Sequence, residues 1–192
     1  MVAQPIATMT EEEYLAFERA SDTKHEYLDG RVYALAGASL KHGRIIKNTS
    51  GRLFSKLLGG PCEAITNDLR VRSSATQLNT YPDIVIICGE PQLTDDYLDT
   101  LLNPTVLIEV LSPSTASHDR GTKWYHYQHI ESLQDYLLIA QDSPRVEHYH
   151  RQQNGKWEYA ATIGLESVVA LPSIDCTLTL AEIYENVAFD RR

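Results

Sequence analysis

The stretch YPDIVII occupies residues 81–87, and the stretch VLIEVLSPST occupies residues 106–115. Each contains an apolar run without a polar face, which predicts two strands that are buried on both sides of a sheet. Two acids interrupt this pattern: Asp83 opens the first strand, and Glu109 stands at the centre of the second. A buried carboxylate is costly unless a positive charge lies beside it. The two acids therefore predict a site within the sheet.

A lysine follows the second strand on a predicted helix over residues 119–133. Tyr127 and Ile130 lie four and seven positions after Lys123, and both are expected to face the core. Lys123 then points toward the sheet, where it needs an anionic partner. Its alternative is a surface lysine that extends its ammonium group into water.

Two carboxylates are a sufficient protein contribution to a Mg²⁺ site, because this ion keeps several waters and also accepts substrate phosphate. Such an ion activates water for hydrolysis. We therefore favour Asp83 and Glu109 as metal ligands, with Lys123 orienting water or neutralising a phosphate. The alternatives are a turn residue after proline for Asp83 and a buried ion pair with an arginine for Glu109.

The composition is typical of a globular protein: the chain has 192 residues, of which 43% are hydrophobic and 22% charged. We expect one domain, residues 1–192. There is no run of about 18 apolar residues that could span a membrane, and no signal-peptide pattern, so a cytoplasmic protein is expected. Cys62, Cys88 and Cys176 are isolated in sequence, and neither a disulfide framework nor a structural zinc is expected.

The net charge of −9 argues against a protein that coats nucleic acid non-specifically. The charge is uneven, however, because a helix predicted to follow Ser39 carries a cluster of basic residues. Such residues near a cleft would contact phosphates without specifying sequence. The alternative is a solvated helix face. The basic residues are Lys41, Arg44, Lys47, Arg52 and Lys56.

The remaining pattern predicts the order of elements. Thr10 and Glu13 form a capping box that opens a short helix, and Asp29-Gly30 marks a hairpin. A strand with one wet face is predicted over residues 63–73. A terminal hairpin over residues 145–163 turns at Asn154-Gly155, and a short helix covers residues 181–187. This order predicts an α/β sandwich around a mixed central β-sheet, with an N-terminal helix and hairpin and a C-terminal β extension.

Several motifs together make the chain similar to a known family. They are Tyr81-Pro82-Asp83, the string from Ile108 to Thr115, the residues Asp119-Arg120 with Lys123 and Tyr127, and the stretch His25–Gly30 with His42. Over most of its length the chain resembles the Uma-two family of restriction endonucleases. The resemblance implies a restriction-endonuclease-like fold with a metal-dependent phosphodiesterase site.

The chain departs from the superfamily motif, Pro-Asp followed by Asp/Glu-x-Lys, because Leu111 stands where the lysine is usual. The family pattern places the lysine on the next helix, at Lys123. The resemblance also adds Glu26 as an upstream acid that could complete the ion's shell. Its alternative is an exposed hairpin residue.

Further polar residues are weaker candidates. His42 lies on the apolar stripe of its helix, which favours a packed residue, although a histidine there could touch phosphate or act as an acid or base. Asp68 is an accessory acid candidate, and its alternative is a surface pair with Arg70 or Arg72. Those arginines extend the positive surface if their strand lies near the basic helix.

His148 and His150 share one strand face, as metal ligands do. With no third ligand recognised nearby, we expect an exposed strand. Asp119 is expected to cap its helix rather than bind metal.

Three functions compete at this stage. The first is an endonuclease that uses Mg²⁺, or Mn²⁺ as its substitute, to cleave DNA. The second is a catalytically inactive nuclease-fold module that binds nucleic acid or protein; Leu111 and the acidic net charge favour it. The third is a glycosidase that uses Asp83 and Glu109 as acid and base, which no motif supports. A homodimer is expected, without a small-molecule cofactor or a membrane partner.

Overall fold

A computed structural model describes residues 4–35, 37–66 and 68–189 of the protein. In these ranges the helices are α1 (Glu11–Ala20), α2 (Leu40–Leu57), α3 (Ala116–His118), α4 (Trp124–Tyr127) and α5 (Leu180–Ile183). A π-helical segment, Asp119–Lys123, joins α3 to α4, and a 3-10 turn spans Pro172–Ile174. The strands are β1 (Ala7–Thr8), β2 (His25–Leu28), β3 (Arg31–Ala34), β4 (Cys62–Thr66), β5 (Arg70–Ser73), β6 (Leu78–Thr80), β7 (Ile84–Cys88), β8 (Thr100–Leu101), β9 (Val106–Val110), β10 (Asp135–Ile139), β11 (Arg145–Arg151), β12 (Trp157–Ile163), β13 (Val168–Leu171) and β14 (Cys176–Thr179).

The strands of the described ranges form two six-stranded sheets and a separate β13–β14 hairpin. The first sheet has the order β1-β3-β2-β6-β5-β8, and the second has the order β12-β11-β10-β9-β7-β4. In the second sheet β9 and β10 run parallel, whereas the other neighbours run antiparallel. The predicted α/β fold around a mixed sheet is confirmed.

The second sheet is the central layer. Side chains alternate along a strand, so Ile84 and Ile86 pack with α2 and the C-terminal elements, while Val85 and Ile87 pack toward the first sheet. The helix that ends at Tyr127 contributes to this second cluster. Both faces of the central strands are therefore covered, which explains why their sequences lack a polar face.

Local signals located several elements correctly. The Thr10 hydroxyl accepts a hydrogen bond from the Glu13 backbone N–H, and the Glu13 carboxylate accepts one from the Thr10 backbone N–H, as the capping box predicts. Asp29 and Gly30 have φ angles of 46° and 80° and close the β2–β3 hairpin. The terminal hairpin also matches, with β11 paired to β12 across a turn that includes Gly155.

The single strand predicted over residues 63–73 is wrong. The chain forms β4, which pairs with β7 in the second sheet, and then β5, which pairs with β6 and β8 in the first. The predicted wet face is wrong as well, because Arg70 is buried. The alternation with a period of two residues continues from β4 into β5. This alternation alone therefore cannot show that the chain passes from one sheet to the other.

Two helix predictions needed different bounds. The helical stretch begins at Ala116 and ends at Tyr127, whereas residues 119–133 were predicted. Ile130 and Leu133 are buried, but in turns after the helix, so their helical spacing was misleading. The last helix covers Leu180–Ile183, and turns follow it.

A disulfide joins Cys62 to Cys88, so the expectation of no disulfide is wrong. The two cysteines lie opposite each other in the β4–β7 pairing. Their separation of 26 positions carries no such signal, because it is the antiparallel register that brings them together. Cys176 is free and buried.

Among the described residues, no helix has both the length and the apolarity needed to cross a bilayer.

Candidate active site

The two strands with acidic interruptions lie side by side. β7 pairs antiparallel with β9 and places Ile84 opposite Ile108, so the chain brings Asp83 beside Glu109. The backbone N–H of Val110 donates to Asp83 Oδ2 at 2.7 Å. The other oxygen of Asp83 lies 3.1 Å from His42 Nε2. The Asp83 carboxylate is therefore held in place by β9 and by α2.

Lys123 is buried at the end of the π-helical segment, and it does not extend into water. Its Nζ lies 2.9 Å from Glu109 Oε1 and 2.8 Å from Glu26 Oε1. The carboxylate of Asp119, at the start of the same π-helical segment, lies 3.7 Å from the same nitrogen. π segments are rare and are frequent at functional sites, and here the segment carries two ionisable groups into the core.

Glu26 comes from the first sheet and faces the second. It is buried, it accepts a hydrogen bond from the Thr80 hydroxyl, and it pairs with Lys123. His118 Nε2 lies 3.7 Å from its second oxygen. The alternative of an exposed hairpin residue is wrong, and Glu26 belongs to the same cluster as Glu109.

The cluster contains more negative than positive charge. Burial raises the pKa of Glu109 to about 8; the neighbouring carboxylates of Asp119, Asp83 and Glu26 add to the rise, and Lys123 opposes it. Burial also raises the pKa of Asp119. One lysine cannot neutralise all these acids, so the site retains a proton near neutral pH when no other cation is present.

Glu26 and Lys123 form the ionised part of the cluster. Burial acts to raise the pKa of Glu26, but Lys123 and hydrogen bonds from His118 and Thr80 lower it to about 2. Burial acts to lower the pKa of Lys123, but Glu109 and Glu26 hold it well above its usual range. The lysine is therefore charged and held between two sheets.

Of the groups described above, Asp83, Glu109, Asp119 and Lys123 line a cavity of about 570 Å³. The Ser-Pro-Ser-Thr turn forms part of its wall, and the Ser112 hydroxyl lies 2.9 Å from those of Ser114 and Thr115. The other polar lining residues include His42, Asp83, Glu109, Asp119, Lys123 and Gln141. The cavity thus combines an anionic floor with neutral hydrogen-bonding groups at one side.

Sequence reasoning missed two polar partners. The Tyr127 hydroxyl donates to Glu109 Oε1 at 2.9 Å, a contact that the core-facing spacing of Tyr127 does not predict. Gln141 donates to the Leu111 carbonyl at 2.7 Å and approaches His42 Nδ1 at 3.1 Å. A polar residue directly after a buried strand was the signal available for Gln141. His42 combines a place on the packed helix with an imidazole that faces the cavity.

Other predicted residues lie elsewhere. Asp68 is exposed and pairs with Lys24, rather than with Arg70 or Arg72. Arg70 pairs with Asp99 and Arg72 with Glu11, so neither arginine extends the basic surface of α2.

Three of the basic residues of α2 contact the C-terminal segment. Arg44 donates to the Asn186 carbonyl at 3.3 Å, Arg52 lies 3.1 Å from Glu185, and Lys56 lies 3.3 Å from Glu182. Lys47 is exposed and Lys41 is half-buried on the same helix.

The expectation that His148 and His150 lack a third ligand is wrong. Asp135 from the neighbouring strand reaches both imidazoles. Among the described residues, this is the one group in which three ligand atoms of His, Cys, Asp or Glu lie within 4.8 Å of one another. The carboxylates around Glu109 are arranged more loosely.

Comparison with known proteins identifies the family. A family model named Uma2 and described as "Putative restriction endonuclease" matches residues 11–181. The chain belongs to the Uma2 family. It is similar to the uncharacterized protein slr1290 of Synechocystis sp. (strain ATCC 27184 / PCC 6803 / Kazusa), with 37% identity over 96% of each chain. A second protein of that strain, sll1609, is 34% identical over 85% of this chain and 93% of its own length.

A solved structure shares the fold. The crystal structure of "a putative nuclease belonging to DUF820" from Anabaena variabilis ATCC 29413 superposes with a TM-score of 0.76 and 21% identity. The match covers 92% of this Uma2 chain and 97% of the other. The site described above therefore lies in a nuclease-like fold of a family described as restriction endonucleases.

Proposed function

We propose that this Uma2 protein is a Mg²⁺-dependent endonuclease that hydrolyses phosphodiester bonds of DNA. One observation carries the proposal: a charged lysine bridges Glu26 and Glu109 in a buried, acid-rich cavity, beside a second strand that presents Asp83. Perturbed carboxylates around a cleft indicate a functional site. A bound divalent cation would also reduce the repulsion between the buried carboxylates.

The donor set fits a hard cation. Asp83 and Glu109 supply carboxylate oxygens, which Mg²⁺ and Mn²⁺ accept, and these two residues would hold the ion. When bound, the ion would supply an activated water and neutralise charge on the phosphate. The raised pKa of Glu109 is consistent with this role, because a cation takes the place of the proton that the cluster otherwise retains.

The chain's own residues supply the remaining functions. Lys123 directs a fixed positive charge toward the cavity, where it would stabilise the negative charge that develops on the phosphate. Glu26 and Tyr127 keep the Lys123–Glu109 pair in place, since each hydrogen-bonds one of the two partners. His42 orients Asp83 from the α2 side. The hydroxyls of Ser112 and Ser114 would donate hydrogen bonds to phosphate oxygens of the DNA backbone.

DNA would approach along the start of α2, because Ser39, His42 and Ile46 of this region line the cavity. Lys41 and Lys47 lie on the same helix, and we propose that they contact phosphates. Arg44, Arg52 and Lys56 make weaker candidates, since they already contact the C-terminal segment.

A homodimer would suit cleavage of two strands, and β12, at the edge of the second sheet, could pair with a second copy.

Nicking of supercoiled plasmid tests the proposal. Wild type, Glu109→Gln and Lys123→Ala are compared with Mg²⁺ or Mn²⁺, with chelator as control. Glu166→Gln and Lys156→Ala serve as matched variants at exposed positions. We expect metal-dependent nicking that is lost in Glu109→Gln and kept in both matched variants. Circular dichroism verifies that Lys123→Ala is folded at the assay temperature.

Equal nicking by wild type and Glu109→Gln would contradict the assignment. No nicking by wild type, together with no Mn²⁺ binding that depends on Glu109, would favour the inactive binding module. One observation supports this second candidate: three carboxylates already surround the Lys123 ammonium, which leaves it little freedom to reach a phosphate. Binding of DNA or of a protein without turnover would then be the activity to measure.

A further inference from the structure

A second polar cluster lies on the same sheet, away from the candidate active site. β10 pairs with β11 and places Asp135 opposite His150 and Leu137 opposite His148. The two histidines are two positions apart on one strand, so both rings project from the same face. That face also contains Asp135, because residues directly opposite in a ladder share a face.

The three side chains converge on one point. His148 Nε2 lies 2.6 Å from Asp135 Oδ1, and His150 Nδ1 lies 2.7 Å from the same oxygen. Asp135 is completely buried, whereas the side chains of His148 and His150 are 12% and 27% exposed. The Ser173 hydroxyl donates to the other oxygen, Asp135 Oδ2. A buried carboxylate thus faces two imidazoles whose side chains are partly exposed.

We propose that Asp135, His148 and His150 bind a transition-metal ion of the Zn²⁺ type, with water in the remaining position. Two imidazoles and one carboxylate are a ligand set that suits Zn²⁺, whereas Mg²⁺ prefers oxygen ligands alone. The three ligand atoms lie within 4.8 Å of one another, so little movement is needed to close them around an ion. Ser173 supplies the outer hydrogen bond that holds a ligating carboxylate in position.

The site is independent of the cavity around Glu109. Asp135 lies at the first position of β10 and pairs with Val106, whereas Glu109 pairs with Leu138 near the other end of that strand. Leu138 packs toward the first sheet, and so does Glu109, its partner on β9. Asp135 lies three positions before Leu138 on the same strand, so its side chain points to the other face. The two carboxylates therefore project from opposite faces of the sheet.

The location indicates a structural role. Asp135 belongs to β10, the histidines belong to β11, and Ser173 belongs to the 3-10 turn that leads from β13 to β14. An ion held by Asp135, His148 and His150 would fasten two strands of the central sheet, with the C-terminal hairpin attached through Ser173. Binding to the folded state alone would raise the melting temperature.

Calorimetric titration with Zn²⁺ tests the site, using chelator-treated protein in buffer with excess Mg²⁺. Wild type should bind one equivalent that His148→Ala and His150→Ala both lose. Ser173→Ala should weaken that equivalent by roughly 10–100-fold. His129→Ala, which removes an exposed histidine outside the cluster, is the matched control and should bind as wild type does. Glu109→Gln should also keep the equivalent, which separates this site from the candidate active site.

Thermal unfolding gives the second measurement. Zn²⁺ should raise the melting temperature of wild type and of His129→Ala, and it should leave that of His150→Ala unchanged. Circular dichroism shows whether each variant is folded; His150, the most exposed ligand, is the substitution with the smallest effect on packing. Absence of a Zn²⁺ equivalent in wild type, or its persistence in both histidine variants, would overturn the proposal.

Discussion

Two charge clusters of this protein, one partly exposed and one buried, differ in their balance. Around Arg70, two arginines meet two aspartates: Arg70 lies 2.8 Å from Asp99, and Arg19 lies 2.9 Å from Asp99 and 2.7 Å from Asp95. Around Lys123, one lysine meets Glu26, Glu109 and Asp119, with Asp83 close by. Of the two clusters, the one around Arg70 neutralises its own charge, whereas the one around Lys123 does not.

The pKa directions follow this difference. Hydrogen bonds from Arg19, helped by Thr100 and Arg70, lower the pKa of Asp99 against the effect of its burial. In the other cluster burial and like charges raise the pKa of Glu109 to about 8. A cluster in which positive and negative charges are equal stabilises a fold, whereas a cluster with excess negative charge favours the binding of a cation. This contrast fits a structural role for the Arg70 cluster and supports the catalytic role that we propose for the Lys123 cluster.

Removal of the shared lysine should have the largest effect on stability. Lys123→Met should lower the free energy of unfolding by roughly 3–5 kcal/mol at pH 8 without metal, because Glu26, Glu109 and Asp119 lose the ammonium group that they share. Arg70→Met should cost less, since Arg19 still pairs with Asp99. Urea unfolding of both variants and wild type measures the difference. Equal losses would remove the contrast between the clusters.

The next effect is on activity. Glu109→Gln should reduce metal-dependent nicking by roughly 10²–10³-fold. The substitution removes a carboxylate that, in our proposal, holds the metal ion that neutralises charge on the phosphate. Asp99→Asn changes one carboxylate to an amide in the balanced cluster and should leave the nicking rate close to that of wild type. Both rates come from the plasmid assay at saturating Mg²⁺. A comparable loss in Asp99→Asn would show that the assay reports folding and not chemistry.

Stability should depend on pH in opposite ways at the two clusters. The folded protein keeps a proton on Glu109 that the unfolded chain releases near its ordinary pKa of 4.5. Stability without metal should therefore fall as pH rises from about 5 to about 8, by on the order of 1–3 kcal/mol. The lowered pKa of Asp99 acts in the other direction, so its contribution is lost as pH falls below the ordinary aspartate range.

Urea unfolding between pH 5 and pH 9 measures this slope. Glu109→Gln, which cannot titrate, should flatten the fall between pH 5 and 8, and saturating Mg²⁺ should flatten it in wild type. Asp99→Asn should keep the fall unchanged. A wild-type stability that is constant over this range would mean that Glu109 is ionised without an added cation.

The sequence was informative where one segment determines the outcome. The apolar runs around Asp83 and Glu109 predicted two buried strands, and their antiparallel pairing places the two acids together. The capping box at Thr10 and the Asp29-Gly30 turn also depend on a few adjacent residues. The lysine could be placed on the correct helix, because helical spacing relates Lys123 to Tyr127.

Features that depend on the packing of distant segments could not be predicted in the same way. Glu26 reaches Lys123 because the first sheet lies on the second, which no local pattern encodes. The change of sheet near Asp68, the Cys62–Cys88 disulfide and the approach of Asp135 to His148 likewise depend on register and topology. A regular alternation of side chains is compatible with several strand neighbours, so these contacts required the folded chain.

The smallest predicted effect concerns the orientation of His42. The Gln141 amide nitrogen can only donate, so at 3.1 Å from His42 Nδ1 it leaves the proton of a neutral ring on Nε2, which then donates to Asp83. Gln141→Ala should slow nicking about fivefold, the cost of roughly 1 kcal/mol for one hydrogen bond. Gln153→Ala removes an exposed glutamine as the matched control. Because the lost bond fixes a tautomer rather than a contact with DNA, the rate at saturating plasmid should change while the affinity for DNA stays constant. A loss of affinity instead would place Gln141 in the binding surface and leave the unbalanced acid cluster without this link to α2.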